Sequence, residues 1–377
     1  MGVPDEHRDL CTECGKCFEV CPQYDEVDLI QDLLSYLDGE REPEHDISKC
    51  LTCGLCEEVC PQGLSLKGLI KEARGRRVEE QGLQEHHFLA DPNWERNLFR
   101  IMTQFEEPPE RGGGDGEIVY FPGCFPTYVH GTMTDAITRL LDRAGVDYDV
   151  LQGLDYCCGV VAAGAGNPSV LRENGPKILE ELKSRGTRLL ITSCPGCFMG
   201  FSKVYPQAFG ELDFEVVHIS QYLLRLLEEG RLEPGEIDER VFYHDPCHLT
   251  RGTGVYREPR EVLERIPGVE LVNPTTEGSR CCGWGGGVRV NHPSESIAIA
   301  REEHLEVKGK ADVIISNCAG CRQNLIEGEV GGGPEVYDLA EYLLRSLGES
   351  MPRDDRLLVE RINRAYSSAL SEYRPPE

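Results

Sequence analysis

Eighteen cysteines in 377 residues are the groups most able to do chemistry, and their spacing is patterned. Two runs stand near the N-terminus: Cys11-x2-Cys14-x2-Cys17-x3-Cys21-Pro22 and Cys50-x2-Cys53-x2-Cys56-x3-Cys60-Pro61. Three closely spaced thiolates reach three irons of one [4Fe–4S] cube, and the cysteine before proline ligates the other cube when two such runs occur together. The spacing therefore predicts Cys11, Cys14, Cys17 and Cys60 on one cubane cluster, and Cys50, Cys53, Cys56 and Cys21 on a second. Zinc prefers paired CxxC units around a tetrahedral ion. With every ligand position of each cube taken by cysteine, no iron is open to substrate, which predicts an electron wire.

The other ten cysteines form two copies of a rarer pattern. Cys124 is followed after 32 residues by Cys157-Cys158-Gly159, then by Cys194-x2-Cys197. Cys247 is followed after 33 residues by Cys281-Cys282-Gly283, then by Cys318-x2-Cys321. In both copies 35 residues separate the cysteine pair from the final CxxC. Five thiolates are one too many for a tetrahedral ion or an ordinary cube. Adjacent cysteines could bridge two irons. A cube with a spare thiol, or a zinc site, stays open on spacing alone.

Composition fits such chemistry. In a reducing compartment, patterned cysteines mean metal or redox work rather than disulfides. The opening MGVPDEHRDL lacks the apolar core of a signal peptide. No run approaches the ~18 consecutive apolar residues of a membrane helix. A cytoplasmic protein with no transmembrane segment is expected. The net charge of -27 argues against a nucleic-acid surface, which needs clustered Lys and Arg. Gly283, Gly285, Gly286 and Gly287 do not form a P-loop, and no GxGxxG follows a strand. No flavin or nucleotide is expected on this chain. Those glycines read as tight turns beside a cluster, donating N–H groups to sulfur.

The elements that must position these cysteines are legible in outline. Leu29, Ile30, Leu33, Leu34 and Leu37 share one helical face between the first two runs, and LSLKGLIKEARGRR reads as a second helix. Its basic stretch (Lys71, Arg74, Arg76, Arg77) reads as a solvated face or a docking patch for an acidic partner or anionic membrane. Residues 81–116 read as a connector, ending in the Pro/Gly-rich EEPPERGGGDGE. Beyond it the chain repeats itself: EIVYFPGC against RVFYHDPC, RLLITSCPGC against DVIISNCAGC, EVVHISQYLL against EVYDLAEYLL. The matching cysteines are offset by 123 or 124 residues, too long for a solenoid and suited to a duplicated domain. Strands are predicted at 117–121, 188–193, 240–244 and 311–316, each ending near a cysteine and followed by a helix-like stretch. That alternation predicts an α/β fold with a mainly parallel sheet, whose strand C-termini carry the sites. A terminal helix with Leu358, Ile362, Ala365 and Ala369 on one stripe closes the chain.

This arrangement resembles the heterodisulfide reductases, whose CCG domains carry the five-cysteine pattern. It is similar to the family's D-type subunit, or to a fusion of its C-type and B-type subunits. The resemblance implies an N-terminal α-helical ferredoxin domain at 1–80, a linker at 81–116, CCG domains at 117–235 and 236–350, and a C-terminal helix at 351–377. It implies two non-cubane [4Fe–4S] clusters, one on Cys124, Cys157, Cys158, Cys194 and Cys197, the other on Cys247, Cys281, Cys282, Cys318 and Cys321. With the two cubanes, that makes four clusters. It also implies an oxidoreductase that reduces a small-molecule disulfide of the CoM–CoB type. Its electron donor would be a flavoprotein, or a membrane cytochrome b that holds the chain at the inner face. Related iron–sulfur subunits relay electrons for glycolate, lactate and glycerol-3-phosphate dehydrogenases, often with one five-cysteine set incomplete. Cleaving a disulfide takes two electrons and two protons. His244 and His248, flanking Cys247, are the predicted proton donors, and Arg251 and Arg289 the predicted anion-binding residues.

Overall fold

The structure, a computed structural model, describes residues 2–83, 87, 89, 91, 94, 97–105 and 116–371. The N-terminal segment is helical. Helix Leu29–Asp38 buries Leu29, Ile30, Leu33 and Leu34, and Gly39 in the left-handed region ends it. Helix Leu66–Gln81 opens on Ser65, whose Oγ accepts the Gly68 N–H at 2.8 Å. Its Leu66, Leu69, Ile70 and Ala73 close a small core with Phe18, Tyr24 and Ile47. The short helices Lys16–Glu19 and Leu55–Val59 carry the third cysteine of each run.

Two four-stranded sheets follow, both wholly parallel. The first has the order β2-β1-β3-β4, with β1 Ile118–Phe121, β2 Asp149–Val150, β3 Leu189–Thr192 and β4 Glu215–His218. The second repeats it as β6-β5-β7-β8, with β5 Glu239–Tyr243, β6 Val269–Leu271, β7 Val313–Ser316 and β8 Glu335–Asp338. The α/β expectation holds, and all four predicted strands form. Parallel neighbours need crossover helices, which the helix-like stretches between strands supply.

The duplicated units pack through one shared core. Helix Gly131–Arg143 of the first lies on Leu339–Ser346 of the second, and Ile219–Glu228 lies on Glu258–Glu264. The repeat maps each pair onto the other, so the interface has an internal two-fold. Tyr120, Ile137 and Leu223 meet Tyr243, Leu263 and Leu343 in a single buried cluster.

The stretch read as a connector includes helix Leu98–Met102, with Leu98, Phe99, Ile101 and Met102 buried. Residues 106–115 of the Pro/Gly-rich run lie outside the described residues. Helix Asp355–Ser371 covers Leu98–Met102, burying Ile362, Ala365 and Ala369 on the predicted stripe. It therefore packs on its own chain. Among the described residues no helix is long and apolar enough to cross a membrane.

Candidate iron–sulfur sites

The first two sites lie side by side in the helical segment. One cavity is lined by Cys11, Cys14, Cys17 and Cys60. A second is lined by Cys21, Cys50, Cys53 and Cys56. The fourth cysteine of each run thus crosses to the other run's set. Burial pushes the Cys17 thiol up to about 11, with Cys11, Cys14 and Cys60 near enough to add to the rise. Backbone amides already point at sulfur: Thr52 N–H to Cys50 Sγ at 3.4 Å and Leu64 N–H to Cys60 Sγ at 3.3 Å. Glu13 and Thr52, each directly before the second cysteine of its run, sit at φ 52° and 53°. Strain of this kind in a non-glycine residue gathers at binding loops.

The five-cysteine sets form at the C-terminal ends of the parallel strands. Cys124 follows β1, Cys194 follows β3, Cys247 follows β5 and Cys318 follows β7. Tyr120 and Ser193 hydroxyls, 2.9 Å apart, join the first two strand ends. Tyr243 OH and Asn317 Oδ1, also 2.9 Å apart, do the same in the repeat. In the first set Cys197 Sγ is 3.3 Å from Cys158 Sγ, and Cys124 pairs with Cys157. A hydrogen bond from Cys197 draws Cys194 down to about 7. In the second, Cys281 meets Cys247 and Cys282, while Cys321 meets Cys282 and Cys318. All eighteen cysteines are free thiols, gathered as soft donors of the kind iron–sulfur clusters use, and Cys157, Cys158, Cys197, Cys281, Cys282 and Cys321 are buried.

The sites are in contact with one another. Cys53 of the helical segment hydrogen-bonds to Cys281 of the second set, which draws Cys53 down to about 7. The glycine run makes this approach possible. A Cβ at Gly286 would run into the Cys50 carbonyl oxygen, and one at Gly285 into that of Leu51. Gly283 does donate its N–H to Cys281 Sγ, at 3.5 Å. The loop of Cys194 and Cys197 also comes up to His248, which directly follows Cys247 of the second set. A point beside Gly196, between Cys194 and Cys197, is 3.7 Å from both Cys194 Sγ and His248 Nδ1. Val161, 52% exposed, borders the same point.

Of the predicted catalytic side chains, only His248 lies in this gap. Burial, reinforced by the positive charges of Lys71 and Lys67, holds it down to about 4. His244 is a correction: it is enclosed, 1% exposed, with Nδ1 2.8 Å from both Glu303 carboxylate oxygens. Its Nε2 has no oxygen or nitrogen partner and lies by the sulfurs of Cys282 and Cys321. Burial opposes charge on this ring, but Glu303 and Cys282 raise its pKa well above the usual histidine range. Arg251 is a second correction. Nε donates to the Cys53 carbonyl at 2.8 Å, Nη1 to Ser279 Oγ at 3.3 Å and Nη2 to the Arg280 carbonyl at 3.2 Å. Its side chain is only 3% exposed and also lies 3.9 Å from Glu58, so it is turned into the protein. Arg289 is a third. It is buried, pairs with Glu327 and Asn363, and lies over the rings of Trp284 and Tyr366.

Within the basic stretch Arg74 is likewise buried, while Arg76 stays 30% exposed. Arg74 donates to the carbonyls of Ile47, Ser48 and Cys50 and reaches Gly164 of the first α/β unit. Arg76 reaches the Leu37 carbonyl and Glu80. Sequence reasoning missed Glu303. Its signal was a carboxylate on the buried stripe Ser296, Ala300, Glu303, His304, Val307 of helix Pro293–Val307.

The chain matches the family described as "Cysteine-rich domain" (CCG) over residues 118–202 and again over 241–326. Residues 4–61 match the "4Fe-4S dicluster domain". The D-type subunit of the dihydromethanophenazine:CoB–CoM heterodisulfide reductase of Methanosarcina acetivorans is 34% identical over 65% of this chain and 62% of that one. The B-type subunit of the fumarate reductase (CoM/CoB) of Methanothermobacter marburgensis is 31% identical over 91% of this chain and 62% of its own length. The EtfAB:quinone oxidoreductase of Syntrophomonas wolfei is 26% identical over 89% of this chain and 46% of that protein. The chain thus spans about three fifths of the length of the heterodisulfide reductase relatives it matches. A crystal structure of a hypothetical protein from Helicobacter pylori shares the fold, with TM-score 0.55 and 12% identity over 94% of this chain and 68% of that one. Likeness that runs through both repeats and the cluster segment before them has one explanation: the chain belongs to the heterodisulfide reductase family of CCG-domain iron–sulfur oxidoreductase subunits.

Proposed function

We propose that this chain is the disulfide-reducing subunit of a multi-subunit complex. It would hold cubane clusters on Cys11, Cys14, Cys17 and Cys60 and on Cys50, Cys53, Cys56 and Cys21, and non-cubane clusters on the two five-cysteine sets. When bound, the clusters supply one-electron chemistry at four points. The observation that carries the reading is the meeting of the Cys194–Cys197 loop of one set with His248, beside Cys247 of the other, with Cys53 against Cys281 behind them.

His248 is the group set to move a proton in that gap. It is neutral at rest, because burial and two lysines oppose its charge. A thiolate arriving there brings the negative charge that reverses this balance. Lys67, held by Glu57 at 2.6 Å, and Lys71 give the same gap a positive edge suited to an anionic substrate. Electrons come from a separate protein, a flavoprotein or a membrane cytochrome b.

Anaerobic reconstitution should load about sixteen irons and almost no zinc. A thiol such as coenzyme M, added to oxidised protein, should raise a new paramagnetic signal. An iron-loaded protein silent to thiol ends the disulfide reading. It leaves the second reading, an electron relay between flavin and quinone, which the likeness to the EtfAB:quinone oxidoreductase favours.

A further inference from the structure

The two five-cysteine sets are copies in sequence, and the copies differ at one wall. From Cys158 and Cys282 through Cys194 and Cys318 the repeat runs without a gap at an offset of 124. Glu303 therefore stands where the first unit has Leu179. Just before the first cysteine of each set the offset is 123, which matches His244 with Phe121. In the first unit this wall is apolar: Phe121 is 1% exposed and packs edge-on against Phe201 at 5.1 Å, with Leu179 on the same core. In the second, an imidazole and a carboxylate take those places, both buried, with Nδ1 held at 2.8 Å.

Burying such a pair is costly where a phenylalanine and a leucine would fit. The free nitrogen says what the pair is for. His244 Nε2 is enclosed and has no oxygen or nitrogen partner, and it shares a pocket with the sulfurs of Cys282 and Cys321. A carboxylate behind the far nitrogen fixes the ring so that Nε2 addresses whatever those sulfurs hold. A hydrogen bond to a ligand sulfur stabilises the more negative, reduced state and raises the reduction potential of a cluster.

We propose that His244, oriented by Glu303, donates its Nε2–H to the Cys282–Cys321 sulfurs and sets the second five-cysteine site at a higher reduction potential than the first. His244 is a positioning and tuning residue here, buried away from the gap where substrate would lie. The second site, the one in contact with Cys53, is then the first to accept an electron from the cubane side. The proposal rests on the reading that both sets hold clusters.

The test uses the full chain, reconstituted anaerobically and titrated under paramagnetic resonance. Wild type should show two separate midpoints for the five-cysteine sites. His244→Phe, the residue of the twin site, should lower one midpoint and leave the other in place. The expected change is at least tenfold in the oxidised-to-reduced ratio at fixed potential, 59 mV for one electron. Glu303→Gln, which keeps the imidazole, should move the same midpoint less far and guards against loss of the cluster in the first variant. Pulsed resonance should find a weak nitrogen-14 coupling that His244→Phe abolishes. An unmoved midpoint in both variants overturns the proposal. So does a strong coupling typical of nitrogen bound to iron, since the imidazole is then a ligand. Iron content separates the two failures. A second set that takes up no iron ends the functional reading and this proposal together, whereas full iron with unmoved midpoints ends this proposal alone.

Discussion

At the residue scale the chain spends its histidines and arginines in ways that adjacency in sequence does not reveal. His45 is an example outside the sites. Nδ1 is 2.8 Å from Asp32, Nε2 is 2.8 Å from Glu26, and Asp32 also accepts the backbone N–H groups of Glu44 and His45. Burial opposes charge on His45, but hydrogen bonds to Asp32 and Glu26 outweigh it and raise its pKa. A raised folded value means that the stabilisation is full below the unfolded pKa of about 6.5 and is lost as pH climbs through the folded value. The melting-temperature gap between wild type and His45→Gln should therefore be widest near pH 6 and close toward alkaline pH. A gap that widens with pH would refute the pairing. The sequence grouped the cysteines as the folded chain gathers them, because spacing along the chain limits which thiols can come together. It did not foresee where Arg251 and Arg289 turn, because being near a cysteine in sequence says nothing about which way a long side chain points. Arg251 turns to the Cys53 carbonyl and Arg289 to Glu327.

At the element scale, the strands that end in cysteine were readable from short β-rich runs. The edge strands β2 and β6, of two and three residues, were not, since so short a segment has no period of its own. The glycine run after Cys282 shows how far a motif goes unaided. It was legible as turns, yet its main task is to let residues 285–286 abut the loop of Cys50 and Leu51. That contact can be isolated. Gly254 and Gly286 both have positive φ, 81° and 63°, so alanine at either carries a similar backbone penalty of about 1–2 kcal/mol. A Cβ at Gly254 meets nothing within 4 Å, whereas one at Gly286 collides with the Cys50 carbonyl. Gly254→Ala should cost only the backbone term. Gly286→Ala should cost more and slow electron exchange between the Cys53 and Cys281 sites, seen as slower rapid-freeze reduction of the second five-cysteine set. Equal effects of the two variants would mean that the contact is not needed for transfer.

At the scale of the whole molecule, the closing helix Asp355–Ser371 braces both α/β units from one side. It packs on Leu98–Met102, which in turn lies on Cys124–Tyr128 of the first five-cysteine set. Across the same cluster, Trp284, two residues beyond Cys282, meets Phe125 at 5.2 Å and Tyr366 at 6.5 Å. The helical segment with the two four-cysteine cavities has a separate core around Leu33, Leu69 and Ile70. Ile362, fully buried at the centre of the brace, is thus wired to the five-cysteine sites and not to the other pair. Ile362→Ala should lower stability by about 2–5 kcal/mol. It should also release iron to a chelator first from the five-cysteine sites, followed by loss of their resonance signals while the cubane signals persist. Leu69→Ala, an equally buried truncation in the helical core, should reverse that order. If both variants released iron from all sites together, the two cores would be one cooperative unit, and the brace would stabilise the molecule as a whole rather than the sites it touches.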